Sequence, residues 1–216
     1  IRPVVADFTR LQDLPELSLA APGGRRVVFF PGSTIGNFTP DATLSLLERI
    51  GRAVGPGALL VIGADTTQDA AVLLPAYDDA QGVTAAFNKN LLVRINRELE
   101  GDFSPSAFRH QARWDPLQRR VEMHLVSEYT QRVRVLGHVF RFAAGESIHT
   151  ENSYKHPSTR FQALAQRAGW IGRQVWMDAL SRFAVHVLER TPRPMPSRLE
   201  ARAGVEPTYT DLQSGA

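Results

Sequence analysis

Three short stretches hold the residue types that could do chemistry. Gly32-Ser33-Thr34-Ile35-Gly36-Asn37 follows an apolar run. Its glycines let the backbone come close to a ligand, and the Asn37 amide offers a donor and an acceptor together. The same residues also suit a plain strand-to-helix turn. Asp7-Phe8 sets a carboxylate beside an aromatic ring. Such a pair could accept from the exocyclic amine of a purine and pack along the base; an ordinary strand-terminal Asp is the alternative. Ser147-Ile148-His149-Thr150-Glu151-Asn152-Ser153-Tyr154-Lys155 is densely polar. In an extended chain Glu151 and Ser153 point to one side, where acid and hydroxyl could bind a ring with two polar nitrogens. A capped helix entry with solvated side chains is the other reading.

Other chemistries are excluded by what is missing. The chain has no cysteine, so disulfides, thiolate metal sites and thiol catalysis are out. No phosphate-binding Walker loop, His-Glu-x-x-His pattern, nucleophile elbow or Gly-x-Gly-x-x-Gly loop is present. The six histidines (His110, His124, His138, His149, His156 and His186) are not at ligand spacing, so no metal is expected. A net charge of +3 gives no basis for nucleic-acid binding, and the arginines are scattered around only two lysines, Lys89 and Lys155. No apolar run reaches the roughly 18 residues of a membrane span. With 43% hydrophobic and 22% charged residues over 216 positions, the composition is that of a globular chain. Arginine, alanine, glycine and proline usage suggests a GC-rich, bacterial gene, and a cytoplasmic monomer is expected.

The elements that must position these residues follow from pattern. Arg2–Ala6 reads as a short buried strand, and Leu11, Leu14 and Leu17 recur at helical spacing before a turn at Pro22-Gly23-Gly24. Arg26–Phe30 suits a central parallel strand covered on both faces. Thr39-Pro40-Asp41 opens a helix whose apolar face is Leu44, Leu47, Ile50 and Val54, stopped at Gly55-Pro56-Gly57. Ala58–Gly63 is a second buried strand. This βαβ unit predicts a doubly wound α/β sheet with ligand-facing loops at the strand carboxyl ends. Helices are expected over 68–77 and 83–99. An antiparallel block follows, with strands at 111–114, 121–126, 131–135 and 139–142, then a helix over 158–168 and strands at 172–177 and 183–188. Three prolines in six residues from Thr191, with no apolar period, predict a disordered tail over 191–216.

Together these stretches resemble the histidine-specific Nα-methyltransferases of ergothioneine biosynthesis. The resemblance lies in Phe30-Pro31-Gly32-Ser33-Thr34-Ile35-Gly36-Asn37-Phe38, in the segment Tyr77-Asp78-Asp79-Ala80-Gln81-Gly82-Val83-Thr84-Ala85-Ala86-Phe87-Asn88, and in Asn96-Arg97-Glu98-Leu99. It continues through Arg120-Val121-Glu122-Met123, Phe142-Ala143-Ala144-Gly145-Glu146 and His149–Lys155. It implies a Rossmann-like domain that binds S-adenosylmethionine and an inserted α+β domain that closes over L-histidine. On that basis residues 1–67 and 156–190 are a partial methyltransferase core and 68–155 the inserted domain. The implied reaction is three successive methylations of the α-amino nitrogen, giving hercynine. Asp7 and Phe8 would contact the adenine end of the cofactor. Gly32 and Asn37 would hold the amino group, with Asn37 as the catalytic residue, and Tyr77 would hold the carboxylate. Glu151 and Ser153 would bind the imidazole in a pocket lined by Met123.

Two departures from the family pattern stand out. Asp65-Thr66-Thr67-Gln68-Asp69 replaces the usual Asp-Leu-x-Lys-Asp, which bears on the local helix entry. The family's first third should precede Ile1, so the chain is expected to be a fragment without methyltransferase activity of its own. The competing readings are a relative acting on another amino acid or an indole amine, and a non-catalytic remnant or binding module.

Overall fold

The computed structural model describes residues 4–9 and 24–192. Its first sheet has the order β1-β2-β9-β8. Strands β1 (Val27–Phe30) and β2 (Leu59–Asp65) are parallel, joined through helix α1 (Pro40–Val54). Strand β9 (Phe183–Arg190) runs antiparallel to β2, and β8 (Trp170–Met177) antiparallel to β9. Helix α1 begins as its sequence dictates: the Thr39 hydroxyl accepts from the Ala42 N–H at 3.2 Å, and Pro40 fills the first turn. Its buried face is Leu46, Leu47, Ile50 and Val54, with Leu44 at the margin. It packs with β2 and helix α4 (Ser158–Arg167), around Phe161 and Trp170. The Trp170 indole N–H is satisfied in this core by the Leu47 carbonyl at 2.9 Å.

The chain leaves this sheet at Asp65, forms helices α2 (Ala70–Tyr77) and α3 (Val83–Glu98), and builds a second sheet. That sheet has the order β3-β4-β7, from β3 (Phe108–Asp115), β4 (Arg120–Ser127) and β7 (Ser147–Tyr154). Strands β5 (Gln131–Val135) and β6 (His138–Phe142) form a separate hairpin. A second core of Leu92, Phe103, Phe108, Leu125 and Val133 lies between α3 and these strands. The chain returns at Lys155 and His156, where the His156 N–H donates to the Asp65 carbonyl at 2.7 Å. Outgoing and returning segments are thus joined at one point.

The structure corrects several sequence expectations. β1 is not covered on both faces: Val28 and Phe30 pack on the core, whereas Val27 and Phe29 are 59% and 70% exposed. Among the described residues β1 pairs only with β2, so an all-apolar strand sits at a sheet edge. Val4–Ala6 are exposed and outside any strand. The polar run Ser147–Tyr154 is a strand, not a helix entry, because β4 supplies its backbone partners. Thr191, expected in the tail, is bound to the first sheet: its N–H and hydroxyl both donate to the Gly169 carbonyl at 3.0 Å. Leu11, Leu14, Leu17, the turn at Pro22-Gly23 and residues 193–216 lie outside the described residues.

Two histidines sit in the first core. His186 is fully buried with neither ring nitrogen bonded, and His156 is 8% exposed with its Nε2 unpartnered. Phe161 touches both rings, at centroid distances of 4.8 and 5.6 Å. Burial pushes each imidazole down to about 4, and a charge on His156 would further oppose one on His186. Between pH 6.5 and 4 the unfolded chain therefore binds protons that the folded chain does not. The two histidines' contribution to stability is expected to be constant above pH 7 and to fall as pH drops from 6.5 toward 4, by up to about 3 kcal/mol for each. Urea unfolding across this range checks it, and His186→Phe should flatten the profile.

Candidate functional site

Four elements meet where β2 ends. The Lys155 side chain is fully buried, and its ammonium donates to Asp65 Oδ2 at 2.7 Å, Tyr77 Oη at 2.7 Å and Ser153 Oγ at 3.0 Å. Tyr77 Oη and Ser153 Oγ are themselves 2.7 Å apart. Asp65 also accepts the Thr67 N–H through Oδ1 at 2.9 Å. A buried ammonium is tolerated only when paired and fully hydrogen-bonded, and here all three of its hydrogens have acceptors.

Tyr77, at the end of α2, is fixed from behind. His110 Nε2 is 2.8 Å from the Tyr77 carbonyl, and its Nδ1 is 2.9 Å from Asn88 Nδ2. The carbonyl can only accept, so Nε2 carries the hydrogen and Nδ1 accepts from the Asn88 amide. Asn88, on α3, is 4% exposed. This polar bridge sets α2 and α3 onto β3. Sequence spacing does not reveal this bridge, because it depends on cross-element packing.

The loop after β1 packs against the same place. A Cβ on Gly36 would stand 2.7 Å from the Tyr154 carbonyl oxygen, and one on Gly63 would stand 2.4 Å from that of Gly32. Only glycine permits both approaches. The Asp65 N–H donates to Ser33 Oγ at 3.0 Å, fastening the loop to β2. Gly32 and Asn37 are exposed, Asn37 closing the 3-10 turn Thr34–Asn37. On the far side of the loop, the Phe8 ring meets Phe30 and Phe38 edge-on at 5.8 and 6.1 Å and remains 45% exposed. Asp7 Oδ1 accepts from the Thr9 N–H and hydroxyl at 2.8 and 2.6 Å.

Cross-strand register puts Met123 opposite Glu151 and Val121 opposite Ser153. Cross-strand partners share a face, so Met123, Glu151 and Ser153 lie together on the side that carries Tyr77. Met123 is buried and Glu151 half-buried. No described side chain pairs with the Glu151 carboxylate, and burial pushes it above the ordinary glutamate value.

The opposite face carries a group that sequence spacing did not reveal. Glu122, His124 and His149 offer possible ligand atoms within 4.8 Å of one another, brought together across β4 and β7. Arg120 already holds Glu122 through Oε1, His124 Nε2 meets Oε2 at 2.9 Å, and the two imidazoles stack at 4.7 Å. The positive charges of Arg120 and Arg113 beside this group oppose a further cation.

A buried charged cluster thus stands at the carboxyl end of the parallel strand β2, and an acid with no described side-chain partner stands beside it on β7 of the second sheet. The chain belongs to the histidine-specific, SAM-dependent methyltransferases, whose family model matches residues 1–190. A histidine N-alpha-methyltransferase of Mycobacterium tuberculosis is 42% identical over 188 residues, covering 86% of this chain and 57% of that protein. The corresponding protein of Mycolicibacterium smegmatis is 42% identical over 169 residues, covering 77% and 53%. Ergothioneine biosynthesis protein 1 of Neurospora crassa is 24% identical over 181 residues, covering 77% of this chain and 19% of that protein. The chain thus spans about half the length of the two mycobacterial relatives it matches.

The unpaired acid has a cost in the unliganded fold. Because the Glu151 value is raised, stability is lost as pH rises through it. Glu151→Gln is expected to raise the melting temperature at pH 7.5 by about 1–3 °C. Calorimetry should show this difference narrowing as pH falls toward 4, where Glu151 is mostly protonated in both states.

Proposed function

We propose that this chain supplies the amino-acid end of an enzyme that transfers methyl groups from S-adenosylmethionine to the α-amino nitrogen of L-histidine. Three successive transfers would give hercynine, in the cytoplasm, as a step of ergothioneine biosynthesis. Residues 1–67 and 156–190 belong to the methyltransferase core in this reading, and 68–155 to the substrate-binding part. The observation that carries it is the pair of unlike anchors on β7. Ser153, joined to Tyr77 and Lys155, is a donor-rich end; Glu151, two residues away on the same face, is an unpaired carboxylate. Alternate strand residues are about 7 Å apart. That suits an imidazole held between Glu151 and Ser153, with the amino-acid carboxylate at the neighbouring Tyr77 hydroxyl.

The cofactor supplies an electrophilic methyl group on a sulfonium. The residues present suit its adenine end: Phe8 offers an exposed ring at the carboxyl end of β1, with the Asp7 carboxylate beside it. The remaining work is done on the amine. An α-amino group titrates at about 8 at a peptide N-terminus and higher beside the free carboxylate of an amino acid, so a small neutral fraction exists near neutral pH. The Asn37 amide oxygen accepts one amine hydrogen and orients the lone pair, and catalysis is then mainly positioning. An amide, unlike a carboxylate, adds no charge that would hold the amine as ammonium. Asn37 is exposed, which leaves room for methyl groups to accumulate.

Labelled methyl transfer to histidine, in a protein carrying this chain at the length of its relatives, tests the reading. Glu151→Ala removes a charge-assisted hydrogen bond of about 1.5–3 kcal/mol, so histidine affinity should fall about ten- to hundredfold. Phenylalanine and tryptophan should lose less, or gain, because an acid that is left unpaired by an apolar ring is gone. Replacing Asn37 should weaken every amino-acid substrate alike. Equal losses for histidine and the aromatic amino acids in Glu151→Ala would show that Glu151 does not touch the ring.

A further inference from the structure

Lys155 has no part in the chemistry above, yet it is the most completely engaged charged group of the site. Its three ammonium hydrogens go to Asp65 Oδ2, Tyr77 Oη and Ser153 Oγ. Tyr77 and Ser153 therefore both act as acceptors toward Lys155, and their 2.7 Å contact uses one of their two hydroxyl hydrogens. One hydrogen remains. Ser153 is 6% exposed, whereas Tyr77 is partly open, so the spare hydrogen belongs to Tyr77 and Ser153 donates to the Tyr77 oxygen.

We propose that Lys155 is a positioning residue that makes Tyr77 an obligatory outward donor, so that the site selects α-amino acids over the amines lacking the carboxylate. The inference rests on the amino-acid reading of the site and adds to it the residue that sets the carboxylate requirement. With the Lys155 and Ser153 hydrogens directed at the Tyr77 oxygen, the phenol can turn only a donor toward the ligand, and donation strengthens it along the chain of hydrogen bonds. A carboxylate accepts that hydrogen. An amine such as histamine offers nothing there and leaves the donor unpaired. Asp65 neutralises Lys155 formally, so the effect is one of hydrogen-bond direction and not of net charge.

The test is calorimetric binding, not turnover, with L-histidine against histamine, L-tryptophan against tryptamine, and L-phenylalanine against phenethylamine. The protein used carries this chain at the length of its relatives. The unsubstituted protein should prefer the amino acid by more than about tenfold. In Lys155→Met that preference should fall to within about threefold, with amine affinity kept. Tyr77→Phe removes the donor itself and should abolish the preference equally; where Lys155→Met does not fold, the double variant Lys155→Met, Asp65→Asn, which leaves no unpaired charge at the junction, decides the matter. A preference that survives either substitution overturns the proposal, as does an equal loss for acid and amine in Lys155→Met. If the tryptophan or phenylalanine pair shows the same Lys155-dependent preference and that amino acid binds more tightly than histidine, the histidine reading falls and the role of Lys155 stands. If the unsubstituted protein binds no amino acid, both fall.

Discussion

The buried ion pair between Lys155 and Asp65 is the constraint on which the site depends. It joins the residue where the chain leaves the first sheet to the residue where it returns. Two charges brought out of water are costly unless further hydrogen bonds satisfy them. Here Tyr77 and Ser153 complete the ammonium, and the Thr67 N–H supports the acid. The polar demand of one cation therefore draws α2, β2 and β7 to a common point. The Gly32–Asn37 loop is held there as well, through Ser33 on Asp65 and the close passage of Gly36 over Tyr154. Stability at the junction and geometry at the site have the same source.

Much of the framework was legible because it is local. The Thr39-Pro40 start of α1, its Leu47-Ile50-Val54 face and the strand at Leu59 follow from capping and periodicity alone. So does the entry to α2, despite the missing family lysine: the Asp69 carboxylate caps the helix by accepting the Ala71 N–H at 2.9 Å. What the sequence could not show was coverage. Val27 and Phe29 are apolar enough for an interior strand, but burial depends on a neighbour, and among the described residues none lies beyond β1. A continuous apolar run states what a strand can tolerate, not what lies next to it.

The site itself was legible only as residue types. Tyr77 and Ser153 are 76 positions apart, and nothing in their spacing foretells a 2.7 Å contact. Lys155 is one of only two lysines in the chain, a signal of individuality, but its three partners come from different elements. The histidines misled for the same reason. Judged by spacing along the chain they form no group, yet register brings His124 and His149 into stacking contact beside Glu122, while His156 and His186 flank Phe161 in the core.

The β7 strand shows how one irregularity decides which side chains stand together on a face. In a regular strand His149, Glu151 and Ser153 would share a face, and His149 would stand next to the Glu151 carboxylate. The register instead shifts between Met123 and His124, so that Glu151 lies opposite Met123 and His149 opposite His124. Thr150 occupies the extra position, with its hydroxyl donating to the Met123 carbonyl at 2.9 Å. The bulge re-aims the side chains on either side of it. His149 goes to the far face, where it stacks on His124, and Glu151 is left beside a thioether instead of a base. An imidazole built into the protein would satisfy the acid permanently. Because the bulge removes it, no described side chain pairs with the carboxylate.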